Sequence, residues 1–482
     1  MGRSGTVATM VPAPREPRIV GRGQLIAVAS LVAVAIALVT SLAESGTATE
    51  TFNAGLDLLP WALFAVLCSP VLVFIALRPQ RGILLLVALV PFNGLLLLLP
   101  ERPPFVDGWK EALAVYSLLW AGLNFVGSKR VKRDRPKFVG PLVLYVGVGI
   151  ASAVVVATNA SPIQAAVGLK VGYFWLALAL AAWLAPLTVK DRDRLVSLLM
   201  GAGLVTALWG IAQQFMGHES LVKLGYQYDE NIRFTGGFMR SISSFPSPFN
   251  FAFFLTLVIL VGLPIALEDQ RRRRSQIFLW TLPIQCAALA LTFVRGAWLA
   301  LAVGLFVLAI RRYGALFLPV PVALIGLAAM PGSFSATVLQ SDSLDDRTVG
   351  WGQNLTRLLE APFGRGIGTT GAAAEKYVEL NGAAGFGALY QPDNQYFKAL
   401  YEIGVPGFFF YLMLLIAIVV ALFGIEKRLA GVDLGFALGL SATVYGAMAA
   451  SLVATWLEIF PNEFYLWSLV VVAHTAVYPE SS

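Results

Sequence analysis

The stretch ALTFVRGAWLALAVGLF, residues 290–306, sets a single arginine inside an apolar run. From Ile277 to Ile310 no other side chain is charged. The run is bracketed by RRRR at 271–274 and by Arg311 and Arg312. It is too long for one untilted membrane span, which takes about 20 residues of helix, and just long enough for two short ones. Basic clusters mark the cytoplasmic ends of spans, so both brackets favour the same side of a membrane. The run must then cross, turn at Arg295-Gly296 and return. This reading makes the chain a bundle of transmembrane helices and sets a cation on an outer turn. Two readings of Arg295 stand side by side: an anchor that reaches lipid headgroups and fixes the turn, or part of a site for an anionic ligand.

The composition agrees with the first step. Of 482 residues, 57% are hydrophobic and 13% charged, with a mean hydropathy of +0.74. A soluble domain carries about 25% charged residues. The apolar segments are continuous and lack period-2 alternation, which favours helices over a barrel. The expected fold class is therefore an all-α polytopic membrane protein. It has about 12–14 transmembrane helices and one large, partly helical extracytoplasmic loop. The sequence divides into a cytoplasmic amino-terminal tail (1–24), a first set of spans (25–330), the loop (331–405), and final spans with a short cytoplasmic tail (406–482). Expected spans include 25–43, 82–100, 168–187, 195–214, 276–294, 296–311, 314–330, 406–424, 434–456 and 463–478. The first 22 residues are polar and basic and do not read as a cleavable signal peptide.

The net charge of +7 resembles a nucleic-acid signal, but its placement argues against that partner. SKRVKRDRPK at 128–137, Lys190–Arg194, Arg271–Arg274 and Lys427–Arg428 all fall on the expected cytoplasmic side. The acids concentrate on the other side, so the basic excess reports topology. Cys68 and Cys286 lie within apolar segments and do not form a disulfide framework. His218 and His474 are the only histidines, and no metal site is expected from them.

Chemistry is expected outside. Lys223, Arg233, Arg240, Arg295, Arg347, Arg357 and Arg365 all fall on the expected outer side, against the topology rule. As a set they suit an anion, since guanidinium forks match phosphate bidentately. GIGTTG at 366–371 matches a dinucleotide fingerprint but lacks the preceding strand and the βαβ context. It is read instead as a glycine-rich nest of amides beside Arg365 that would suit a phosphate. DRDR at 191–194 is read as a solvated loop rather than a metal-binding Asp pair. A helix is expected over Asn394–Ile403, capped by Asp393 and stopped by Gly404 and Pro406. Asp393 is either that cap or a general base facing the arginines, and the two roles are compatible. Lys398 and Glu402 read as a helix-face pair.

Three stretches carry a family resemblance: LTFVRGAWLALAVG (291–304), DRTVGWGQNLTRLLEAPFGRGIG (346–368) and DNQYFKALYEIGVPGFFFYL (393–412). RSISSFPSPFNFAFFL (240–255) adds to them. In this order the chain resembles the O-antigen ligase and O-antigen polymerase superfamily of bacterial envelope glycosyltransferases over about residues 230–425. The resemblance implies a multi-pass protein of the bacterial plasma membrane with both termini cytoplasmic. It implies transfer of glycan from an undecaprenyl-diphosphate carrier, with no cofactor and no metal. Arg295 and Arg347 would bind and neutralise the diphosphate, with Arg240 and Arg365 as further diphosphate contacts. The family's ligases have a histidine where this chain has Asp393. That departure favours a polysaccharide polymerase, with Asp393, Arg295 and Arg347 as the catalytic set. A ligase moving glycan to a lipid or protein acceptor is the alternative, and a lipid-linked oligosaccharide flippase is the rival from another class. The partners implied are glycan donor and acceptor lipids, membrane lipids, and a flippase and chain-length regulator, with no nucleic acid.

Overall fold

The computed structural model describes residues 69–98, 104–127, 134–159, 161–228, 231–317, 361–381, 394–458 and 460–478. Residues up to Arg81, with 479–482, form one unit and Gly82–Tyr478 another. In the first, the Arg81 guanidinium donates to the Phe74 carbonyl at 3.0 Å and lies 4.0 Å over its ring.

The second unit is a helical bundle. It is entered by α1 (Gln80–Leu89) and a 3-10 turn over Val90–Leu98. Then come α2 (Pro104–Gly127), α3 (Val139–Asn159), α4 (Pro162–Tyr173), α5 (Leu176–Leu184) and α6 (Val189–Lys223). A two-residue hairpin, β1 (Phe234–Thr235) with β2 (Phe238–Met239), follows. Next are α7 (Pro248–Glu268), α8 (Arg273–Ala290) and α9 (Arg295–Arg311). After them come α10 (Gly371–Asn381), α11 (Gln395–Glu426), α12 (Gly431–Ala450) and α13 (Asn462–Thr475). Five of these are long and apolar enough to cross a membrane, or six if α4 and α5 count as one bent span. The all-α polytopic class is thus observed. The expected spans at 25–43 and 314–330 fall wholly or mainly outside the described residues, as does most of the expected outer loop.

Helix α7 is the axis of the bundle and is buried along nearly its whole length. Helix α12 packs against it and against α9 through small residues, which let backbones approach closely where lipid gives no hydrophobic drive. A Cβ added at Gly446 would stand 2.5 Å from the Ala300 carbonyl oxygen. We expect Gly446→Val to part α9 from α12 and sharply reduce the folded fraction, whereas the same change at Gly424, which has open space, is expected to be tolerated. Unfolding temperatures of both variants in micelles check this.

Charged side chains gather at one end. The Arg192 guanidinium forms a two-pronged pair with Asp433, at 2.9 Å and 2.7 Å. Asp193 pairs with Arg272 and Arg274, Arg312 with Glu268 at 2.7 Å, and Arg311 with Glu426. The start of α6, the α7–α8 turn and the ends of α9 and α11 therefore share one rim. All four carry clusters that the charge rule assigns to one side. DRDR is not a solvated loop. It is the first turn of α6, capped by Thr188, which accepts from the Asp191 amide at 3.2 Å, and Asp191 and Arg192 are buried.

Two expected spans differ in outline. The segment 168–187 is two helices bent by 50°. The first begins earlier, at Pro162, because Ser161 caps it. The bend falls at Phe174-Trp175, where Trp175 turns in to pack on Phe460 and Phe464, with ring centres 5.2 Å and 5.4 Å away. The span expected over 434–456 stops at Ala450. Beyond it the carbonyls of Ser451 and Leu452 leave the helix to accept from Gln395 N at 2.9 Å and Asn394 Nδ2 at 3.0 Å.

Candidate functional site

Among the described residues, the end opposite the charged rim holds Arg240, Arg295 and the start of α11. The run from Ile277 to Ile310 is a helical hairpin, as expected. Its turn is not Arg295-Gly296, as expected, but Leu291–Val294, because Val294 caps the next helix and Arg295 already opens α9. Phe293 adopts the left-handed conformation there (φ 53°), and its ring stacks on Phe238 at 5.8 Å. Arg295 is exposed. A cation at a helix N-terminus opposes the macrodipole, an arrangement that an arriving anion relieves.

Arg240 joins it through the backbone. Ser241 N donates to Leu291 O at 2.9 Å, and Arg240 Nε donates to Thr292 O at 2.9 Å. The guanidinium also lies 4.8 Å over the Phe249 ring. Burial, with the charges of Arg233 and Arg295 nearby, pushes the Arg240 pKa down to about 10. It stays cationic at neutral pH, so three like charges meet at this turn. Gln213 fixes the segment behind it, accepting from Ser243 N at 2.7 Å and donating to Ser243 O at 2.9 Å.

The start of α9, next to the hairpin turn, and the start of α11 dock on the same connection, 451–458. A Cβ on Gly296 would meet Val453 at 3.3 Å and Ala454 at 4.0 Å. Asn394 donates to the adjacent Leu452 O. The cap of α11 is Asn394, not Asp393: its Oδ1 accepts from the amides of Tyr396 at 2.8 Å and Phe397 at 3.1 Å. Asparagine fits because its Nδ2 also donates across to Leu452, which a carboxylate cannot do. Asp393, Arg347 and Arg357 themselves lie outside the described residues. Arg365 has a different support. Its amide donates to Tyr401 O at 2.7 Å, and its guanidinium lies 5.2 Å from the Tyr401 ring centre.

Helix α11 breaks at Gly404 (φ 67°), as the Gly-Val-Pro-Gly sequence implied. The break frees the carbonyls of Tyr401 and Glu402, and the 361–371 segment supplies their donors. Gly366 N reaches Glu402 O at 2.9 Å, and Val405 N returns to Pro362 O at 2.9 Å. Broken helices of this kind occur in membranes only where protein satisfies the freed groups.

The GIGTTG nest is filled from within. Glu402 Oε1 accepts from Gly368 N at 3.1 Å, Thr370 N at 3.2 Å and Thr370 Oγ1 at 3.0 Å. It therefore does not offer amides to a phosphate. Gly368 is required here: φ is 80°, and a Cβ would stand 2.7 Å from Gln164 O. Lys398 pairs with Glu402 at 3.1 Å and with Glu458. The pair read as lying on a helix face is thus part of a buried clasp of α11, the glycine loop and the 451–458 connection. Sequence reasoning missed Glu458 and Glu463. The available signal was two acids in an otherwise apolar segment, a placement that demands a partner.

Burial outweighs Lys398 and pushes the Glu458 carboxyl up to about 7. A folded pKa above the unfolded one means that the folded state holds its proton longer. Stability is therefore lost as pH rises from about 4.5 through about 7. Glu458→Gln is expected to flatten that loss, read as unfolding temperature against pH.

Residues 278–412 match the family model described as O-antigen ligase. No curated protein matches the chain.

Proposed function

We propose, from the match of residues 278–412 to the O-antigen ligase family model, that this chain is a membrane-embedded glycan-transferring enzyme that joins undecaprenyl-diphosphate-linked oligosaccharide repeats into a surface polysaccharide. The reaction runs at the outer face of the bacterial plasma membrane, with both termini cytoplasmic. One observation carries the reading. The start of α9 at Arg295, with Arg240 tied to the adjoining turn, docks on the same connection as Asn394, the residue that follows Asp393.

The arrangement suits displacement at an anomeric carbon. An acceptor hydroxyl attacks that carbon while its proton passes to the Asp393 carboxylate. The bond from the anomeric carbon to the carrier phosphate breaks, and the diphosphate leaves with the electron pair. Arg240 and Arg295 meet the charge that develops on it, and Arg347 adds a third guanidinium. Arg365, held by Tyr401, serves the carrier end of the site. The lipid diphosphate is its own leaving group, so the step needs no nucleotide.

The test uses purified protein in nanodiscs with a cognate lipid-linked repeat, EDTA and no nucleotide sugar. A mass ladder of repeat multiples is expected. Product formed only when a lipid or protein acceptor is added would overturn the polymerase in favour of the ligase. Movement of the intact lipid across the bilayer without transfer would favour the flippase.

A further inference from the structure

We infer that Arg271 and Arg273, at the charged rim, hold the headgroup of an anionic phospholipid whose acyl chains run along α8 past Ile277 and Trp280.

The RRRR run divides by alternation. Arg272 and Arg274 are engaged within the protein. Both pair with Asp193 of α6, and both approach Asp269, at 3.2 Å and 3.6 Å. Arg274 also donates to Asp193 O at 2.9 Å and to Ser197 Oγ at 3.1 Å. Two acids are thereby matched by two guanidinium groups. The next acid, Glu268, is taken by Arg312 at 2.7 Å and by the Tyr313 hydroxyl at 2.6 Å. Arg271 and Arg273 are exposed and have no acidic partner among the described residues. Two like charges therefore stand uncompensated at the start of α8.

That position disfavours a cation and favours an anion. Helix α8 has no side-chain cap and no acid in its first turn. The amides of Arg273, Arg274 and Ser275 find no acceptor among the described residues. An anion here meets free N–H groups and the positive end of the macrodipole as well as the two guanidinium groups.

The choice of a lipid over a free anion comes from the next two turns. Ile277 and Trp280 follow Arg273 at i+4 and i+7, on the same helix face, and are 46% and 84% exposed. Trp280 lies about 10 Å along the axis from Arg273. That exceeds the thickness of one headgroup layer, about 5–8 Å, so the indole reaches acyl chains. The ligand that matches the whole stripe is anionic at one end and apolar at the other. A zwitterionic lipid carries its own ammonium, which the two arginines repel. A soluble phosphate matches the upper part alone.

This inference does not rest on the glycan reaction. It is tested by thermal unfolding of the full chain in micelles of a neutral detergent at constant ionic strength, titrated with phosphatidylglycerol or phosphatidylcholine. Phosphatidylglycerol is expected to raise the unfolding temperature saturably by a few °C, and phosphatidylcholine is not. The rise is expected to vanish in Arg271→Gln with Arg273→Gln. It is expected to persist in Arg135→Gln with Lys137→Gln, which removes two other exposed charges. Trp280→Ala is expected to move the phosphatidylglycerol midpoint up severalfold. Equal rises with the two lipids, the same rise with glycerol phosphate, or equal loss in the 135 and 137 pair would overturn the site. An unmoved midpoint in Trp280→Ala would overturn the acyl contact. If the 271 and 273 pair does not fold, native mass spectra of the unaltered protein with both lipids at equal concentration decide. Preferential retention of phosphatidylglycerol is expected, and equal retention overturns the inference.

Discussion

Arg295→Ala is expected to lower glycan transfer by about 10²–10³-fold, the effect of removing one preorganised donor from a developing anion. The protein should remain folded, because Arg295 is exposed at the hairpin turn and the turn is held by other groups. Thr292 Oγ1 donates to Leu289 O at 2.6 Å, Trp298 Nε1 donates to Leu289 O at 3.2 Å, and Ser241 N holds Leu291 O. The two readings of this arginine diverge here. A headgroup anchor would tolerate Arg295→Lys fully, since an ammonium also reaches phosphate. A guanidinium that grips a diphosphate by two prongs would lose much of its effect in Arg295→Lys, because lysine is a point charge. Initial rates with the lipid-linked repeat, normalised to folded protein in the membrane, separate the two. Full activity in Arg295→Ala would remove the turn from the site.

Arg240 makes the expectation sharper. Its folded pKa is pulled down by burial and by its cationic neighbours, so the cluster is electrostatically loaded towards an anion. Neutralising Arg295 relieves that load. The Arg240 pKa should then rise, and salt should weaken substrate capture less steeply than in the unaltered protein.

How much of this was legible follows from where each signal lies. The hairpin at Arg295 was readable because a lone charge between two basic clusters leaves little choice of path. The break at Gly404 was readable because glycine and proline act locally. The cap of α11 was not. Asp393 and Asn394 are both good capping residues, and the choice between them is made by the Leu452 carbonyl, far along the chain. DRDR looked solvated because its partners, Asp433 and the 272–274 arginines, come from other helices. The glycine nest had the same fate. Its amides were foreseen as an anion cradle, but the anion is Glu402, which local sequence does not connect to it. The site was therefore legible where residues act on their own segment and hidden where an ion pair joins distant ones.

The clasp gives the largest expected effect on stability. Lys398→Met keeps most of the side-chain volume but leaves Glu402 and Glu458 buried without their shared cation. Breaking a buried ion pair from one side costs about 3–5 kcal/mol, because the orphaned charge remains. Glu402 keeps its amides from Gly368 and Thr370, so most of the loss should fall on Glu458. The double variant Lys398→Met with Glu458→Gln should then recover a substantial part of it, since the second change removes the orphaned charge. Denaturant unfolding in micelles, compared as a double-mutant cycle, reads this directly. A single variant as stable as the unaltered protein would mean that the clasp does not hold α11 to the 451–458 connection. Recovery in the double variant would establish that the clasp is costly to break and dispensable when both charges go together. Transfer activity in that double variant then tests whether the proposed reaction needs the start of α11 held by the clasp.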